Sequence, residues 1–284
     1  MPPRIFPQTV NNEPWGYYRG ESLPIDQAAK LSFNGQEYCR YHDPSKRHSF
    51  AWCDNKQVVR FEVQPGDNQA WIGGGGHDPT SLERAEIFVR RDTPYEDQHA
   101  NFDQDYWLSY NFLIEPGAVT FQDPIVLQFH STDDVGDVAS HPPLHFRLRG
   151  DRWAVMTVAD PDNPNTRPTD YPPEVQNPGN VWTYQRYITP APLARNIYHR
   201  VVVRARFNPL GGQLQVWLNG NEVVNGSYPM GHNDAIGPYV QYGIYRYASA
   251  EALAVRYHAV EFGPSSLFAR VATPVPTSGL SRAS

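Results

Sequence analysis

Apolar and polar residues alternate along much of the chain in short runs, the period of two that turns successive side chains to opposite faces of a strand. Val58–Val63 ends at Pro65-Gly66-Asp67, Ala85–Val89 precedes another proline, and Trp107–Ile114 stops at Glu115-Pro116-Gly117, so each reads as a strand followed by a turn. Ile125–His130, Leu144–Leu148, Trp153–Val158, Ile197–Phe207, Gln213–Leu218, Tyr239–Tyr247 and Val255–Phe262 continue the series, and Asn219-Gly220 marks a tight hairpin after Trp217-Leu218. A series of about ten or more short strands predicts an all-β fold, a two-sheet antiparallel sandwich or jelly roll.

No composition shift marks a linker, and no segment repeats at a period of about 20 to 50 residues. Residues 1–271 are therefore expected to form one domain, irregular over the Pro-rich residues 1–30, with 272–284 as a polar tail. Asp160–Asn180, rich in Pro, Asn and Asp, lacks periodicity and reads as a long loop, equally a binding loop or a surface excursion. Its Asp160, Asp162 and Asn163 offer oxygen ligands for a structural calcium, but without the Gly and terminal Glu of an EF-hand.

Composition sharpens this picture. With 27 Pro, 21 Gly and 13% aromatic residues, the chain favours strands and tight turns over long helices. Its formal charge of −6 argues against a general electrostatic grip on nucleic acid or an anionic membrane, while leaving room for a local basic groove. No apolar run approaches the roughly 18 residues of a membrane helix, and Met1–Val10 carries no apolar signal region. Cys39 and Cys53, without a CxxC pair, are too few for a zinc cage of thiolates, and their spacing fits a disulfide as well as two thiols.

Alternation also shows which polar groups share a face. In Arg84–Arg90, Ala85, Ile87 and Val89 suit the core, and Arg84, Glu86 and Arg90 turn the other way; Arg84 could clamp a carboxylate or simply pair with Glu86. Gln128 and His130 project opposite Leu127 and Phe129. Tyr239, Gln241, Tyr245 and Tyr247 share one face of their strand, with Gly243 leaving space in which a sugar ring could lie. His145, Arg147 and Arg149 form a cationic stripe attractive to a polyanion.

Taken in order, RAEI at 84–87, QFH at 128–130 and YVQYGIY at 239–245 resemble the jelly-roll polysaccharide lyases, which include alginate, glucuronan and heparin lyases, with most likeness to the glucuronan and heparin lyase group. The likeness continues through VVRFEVQPGD, YWLSYNFLIEPG, PPLHFRL, GGQLQVWLNGNEVV and VRYHAVEFG. It implies β-elimination on a uronic-acid polymer. The carboxylate must be neutralised, the proton on carbon five removed, and the bond from carbon four to the glycosidic oxygen broken with protonation of the leaving group.

The resemblance assigns Arg84 and Gln128 to the carboxylate and its developing enolate charge, Tyr245 to protonating the leaving oxygen, and His130 to the role of base or charge neutraliser. A tyrosine phenol, with an ordinary pKa of roughly 10, begins as an acid at neutral pH. Where proton and leaving group share a face, Tyr245 would serve as both base and acid while His130 held the carboxylate; the residues leave both schemes open. Glu86, Gln241, Tyr239, Tyr247, His145 and Arg147 are expected to line the substrate path. Gln241 stands where many relatives carry Lys, which removes a cation and points to an unsulfated uronan unless His145, Arg147 or Arg246 replaces the charge, and Asn196 in NIYHR replaces an expected Asp, a change read as structural. No cofactor beyond a structural calcium is implied, the chain is expected to act as a monomer, and such a polymer would place it outside the cell or in the periplasm.

Two other classes compete. A non-catalytic lectin-like sandwich would keep aromatic platforms without needing Gln128, His130 and Tyr245 at one spot. A glycoside hydrolase would need two carboxylates about 5 to 10 Å apart on one face, and no ExDxE-like run occurs.

Overall fold

The computed structural model describes residues 4–6, 9–10, 13–14, 17–19, 39–41, 49–53, 58–66, 81–88, 99–120, 122–132, 141–160, 182–232 and 236–276. Among them are eighteen strands: β1 (Arg4–Phe6), β2 (Thr9–Val10), β3 (Glu13–Pro14), β4 (Tyr17–Arg19), β5 (Cys39–Tyr41), β6 (Ser49–Cys53), β7 (Val58–Val63), β8 (Leu82–Phe88), β9 (Asp105–Ile114), β10 (Ile125–His130), β11 (Leu144–Arg149), β12 (Arg152–Asp160), β13 (Trp182–Ile188), β14 (His199–Arg206), β15 (Asn208–Leu218), β16 (Asn221–His232), β17 (Tyr239–Tyr247) and β18 (Leu253–Gly263). The all-β class read from the alternation is the one observed.

Sixteen strands join in one hydrogen-bonded path that runs β4-β8-β17-β10-β11-β12-β16-β15-β14-β9-β18-β7-β6-β5, with β13 on the side of β12 and β1 on the side of β18. The path turns over where β12 meets β16 in a short parallel pairing, Ala159 with Gly231 and Asp160 with His232. The apolar faces of the two halves then meet. Tyr242 of β17 lies against Phe61 of β7 with ring centroids 5.7 Å apart, Phe146 of β11 against Tyr110 of β9 at 6.2 Å, and Phe129 of β10 against Tyr106 at 6.0 Å. One core cluster therefore draws on both halves. A smaller cluster of Trp107, Val202, Trp217 and Leu267 lies apart from it, where the residues after β18 fold back.

Several strand ends differ from the sequence expectation for identifiable reasons. The run expected from Ile197 begins at His199, because Asn196 takes a left-handed conformation (φ 61°) and Ile197 is 45% exposed. Left-handed backbone suits Asn, which agrees with a structural reading of that residue. Asn219 and Gly220 both have positive φ, as a two-residue hairpin requires.

The N-terminal residues, expected to be irregular, contain β1 to β4. β1 pairs with Val260–Phe262 of β18, beyond the stretch of β18 that pairs with β7, so it satisfies backbone groups no local pattern could announce. β13, also not expected, lies on β12. The register of β5 and β6 makes Cys39 and Cys53 direct partners. Val89, Arg90, residues 161–181 with Asp162 and Asn163, and the tail beyond 276 lie outside the described residues. The start of the tail is held, for the Arg200 guanidinium donates to the carbonyls of Arg270 and Thr273.

Candidate active site

The polar face of β8, β17, β10 and β11 is the one turned away from Val240, Tyr242, Ile244, Phe129 and Phe146. Antiparallel register puts Tyr245 opposite Arg84 and Gly243 opposite Glu86. Across the next pairing Gln128 stands opposite Gln241 and His130 opposite Tyr239, and one strand further His145 stands opposite Gln128. Direct partners in a ladder point to the same face, so these side chains form transverse rows.

Glu86 is the centre of the first group. Its side chain is fully buried, and it accepts hydrogen bonds from Gln128 Nε2 at 2.8 Å and from Gln241 Nε2 at 2.5 Å on its two oxygens. Arg84 Nη1 lies 3.4 Å from Glu86 Oε2, and the Arg84 guanidinium carbon sits 4.2 Å from the centre of the Tyr245 ring. Arg84, Glu86, Gln128, Gln241 and Tyr245 thus form one chain of contacts: cation over phenol, carboxyl beneath, two amides fixed on the carboxyl. Glu86, expected to line the substrate path, is instead the buried anchor of its neighbours.

Gly243 has φ 143°, and a Cβ there would come within 2.1 Å of the Ala85 carbonyl oxygen and 2.7 Å of Glu86 Cα. The missing side chain lets β17 approach β8 beside Glu86, which corrects the reading of Gly243 as room for a sugar ring. Beneath the site, Tyr257 of β18 reaches across the core. Its hydroxyl donates to the Val126 carbonyl, where the register of β10 shifts between Ile125 and Leu127, and lies 3.2 Å from the Gly243 carbonyl. Burial raises the Tyr257 phenol well above its ordinary pKa, so it remains a donor.

A family model described as polysaccharide lyase matches residues 12–259. The chain belongs to the polysaccharide lyase family. The endo-β-1,4-glucuronan lyase of the fungus Trichoderma reesei superposes on this lyase with a TM-score of 0.56 at 11% identity, covering 88% of this chain and 96% of the other. Alginate lyase A1-II', a member of polysaccharide lyase family-7, does so with a TM-score of 0.50 at 12% identity, covering 80% and 86%. At these identities the likeness is one of fold. No curated protein matches the sequence.

The lyase places its other expected site residues outside the contact chain around Glu86. His130 stands beside Tyr239, ring centroids 5.4 Å apart, and Tyr239 also meets His99 at 6.1 Å. His130 Nδ1 lies 2.7 Å from the Ser131 carbonyl, which can only accept, so the proton is assigned to Nδ1. Tyr239 and Tyr245 are six steps apart on β17, about 20 Å of extended strand, so the histidine end and the Arg84 end are two parts of one long face. Tyr247 lies beyond Tyr245 and is 66% exposed.

The cationic stripe on β11 is smaller than expected. His145 is buried, and burial first, then the Arg147 charge, lowers its pKa to about 3, so it is a neutral imidazole rather than a cation. Arg147 Nη1 and Arg149 Nε share one carboxylate, Asp123, at 3.2 and 2.9 Å. Sequence reasoning missed Asp123 and His99. The Asp123-Pro124 turn signal marked the former, while His99, in a single isolated bridge to Tyr239, had no periodicity to reveal it. Asp160 is buried at the end of β12, and among the described residues no group of three His, Cys, Asp or Glu could hold a metal.

Proposed function

We propose that this lyase cleaves an unsulfated uronic-acid polymer by β-elimination, leaving an unsaturated uronide at the new non-reducing end. The observation that carries this reading is the Arg84 guanidinium stacked on the Tyr245 ring beside two amides oriented by Glu86. A cation and amide N–H groups next to a phenol are what elimination asks for. The carboxylate of the sugar is neutralised, the carbon-five proton leaves to a base, the electron pair forms the carbon four–carbon five double bond, and the glycosidic oxygen departs with a proton.

Tyr245 supplies the proton to the leaving oxygen, and Arg84 with the second N–H of Gln128 meets the carboxylate. His130, opposite Tyr239 and about 20 Å of strand from Tyr245, is too far away to act on the same sugar, so Tyr245, as its phenolate, takes the carbon-five proton and returns it to the leaving oxygen on the same face. Gln241 adds no charge where sulfate recognition would call for a cation. The chemistry needs no cofactor, and the polymer would be met outside the cell or in the periplasm, by a chain working as a monomer.

The test is ultraviolet absorbance of the unsaturated product with glucuronan, alginate, heparin and hyaluronan, alongside Tyr245→Phe. A rise with an unsulfated uronan, falling at least about a hundredfold in the variant, is expected. Binding without any rise would point to a lectin-like module instead.

A further inference from the structure

One transverse row of the polar face runs from Arg84 on β8 through Tyr245 on β17 and Ile125 on β10 to Arg147 on β11, each opposite the next in the ladders. Ile125 is buried yet absent from the main core cluster, since the shift in β10 beside it moves it to the polar side. The row therefore reads cation, phenol, apolar floor, cation, with Arg147 two strand spacings, about 10 Å, from the Tyr245 backbone.

At its far end two guanidinium groups share the single carboxylate of Asp123, and Arg149 spends its Nη1 on the neutral Gln185 at 2.7 Å. His145, next along the strand, is neutral. The trio keeps one positive charge in excess, its arginines are partly exposed, and Arg147 Nε is buried with no hydrogen-bond partner. A guanidinium with spare N–H groups is suited to an incoming carboxylate.

We propose that Arg147 and Arg149, held by Asp123, form a second carboxylate subsite. It would take a uronate of the same polymer chain lying across the strands, with Ile125 beneath the sugar between the two sites. This rests on the polymer reading above, but it concerns binding and is tested without turnover.

Affinity for polyglucuronate, and for the same polymer with its carboxyl groups reduced to alcohols, is measured by titration calorimetry on the wild-type chain in the Tyr245→Phe background, on Arg147→Gln and on Asp123→Asn. Arg147→Gln should weaken polyglucuronate binding about tenfold, the loss of one charge-assisted contact, and should leave the reduced polymer unaffected. Asp123→Asn should tighten binding, because it removes the competing carboxylate; its left-handed backbone (φ 51°) suits Asn equally. Opposite signs separate a subsite from a clasp that merely holds the fold, in which both variants would weaken binding together.

Equal weakening in both variants, no change in Arg147→Gln, or no binding of polyglucuronate by the starting protein would each overturn the proposal. Absence of any lyase product with retained, Arg147-dependent binding would sink the elimination reading and leave the subsite standing.

Discussion

Two amide N–H groups and a guanidinium are directed at Glu86, so its carboxyl accepts at both oxygens and the NH2 ends of Gln128 and Gln241 must face it. Glu86→Gln keeps the shape but offers an amide that both donates and accepts, and either partner can then turn over. Turnover in the absorbance assay is expected to fall about tenfold or more, with a thermal midpoint within a few degrees of wild type; unchanged turnover would mean the orientation is irrelevant. His145 makes a separate prediction. Its folded pKa of about 3 lies below the roughly 6.5 of an exposed histidine, so between these values the unfolded chain binds the extra proton and stability drops as pH falls. Denaturant titrations from pH 7 to 4 should show that slope reduced in His145→Gln. The face each of these residues occupies was legible from alternation. That Glu86 serves its neighbours and His145 is neutral was not, because both follow from burial and from partners on other strands.

At the scale of strands, the site depends on an irregularity. Where β10 shifts register between Ile125 and Leu127, the Tyr257 hydroxyl from the opposite half reaches the Val126 carbonyl. Tyr257→Phe removes that buried hydrogen bond, a cost of about 1 kcal/mol, and loosens the strand that carries Gln128. Chemical denaturation should register that loss, and kcat should fall more than KM changes; a stability loss with kcat intact would confine Tyr257 to the core. The alternation in Tyr239–Tyr247 and Ile125–His130 announced both strands and their buried faces. It could not announce the shift between them, which arises from pairing. β13 escaped for a related reason. Thr183, Tyr184 and Gln185 are exposed while Tyr187 packs on the core, so the strand lacks a sustained apolar face.

In the molecule as a whole, one core draws aromatic residues from both halves of the sheet path, so neither half has a separate interior. Calorimetry should show a single unfolding transition with calorimetric and van't Hoff enthalpies in agreement; two resolved transitions would contradict the shared core. The all-β class was legible because alternation is local. How distant strands meet was not, since that is decided by which apolar faces cover each other. The same long-range pairing has a consequence for timing. Glu86 bonds to Gln241, 155 positions later in the chain. At about 5–20 residues per second, synthesis of that interval takes roughly 8 to 30 s, during which Arg84 and Glu86 exist without the strand that completes them. Closing so long a loop also slows folding itself. The newborn chain is thus silent until synthesis has passed β17, and its chemistry switches on only after that.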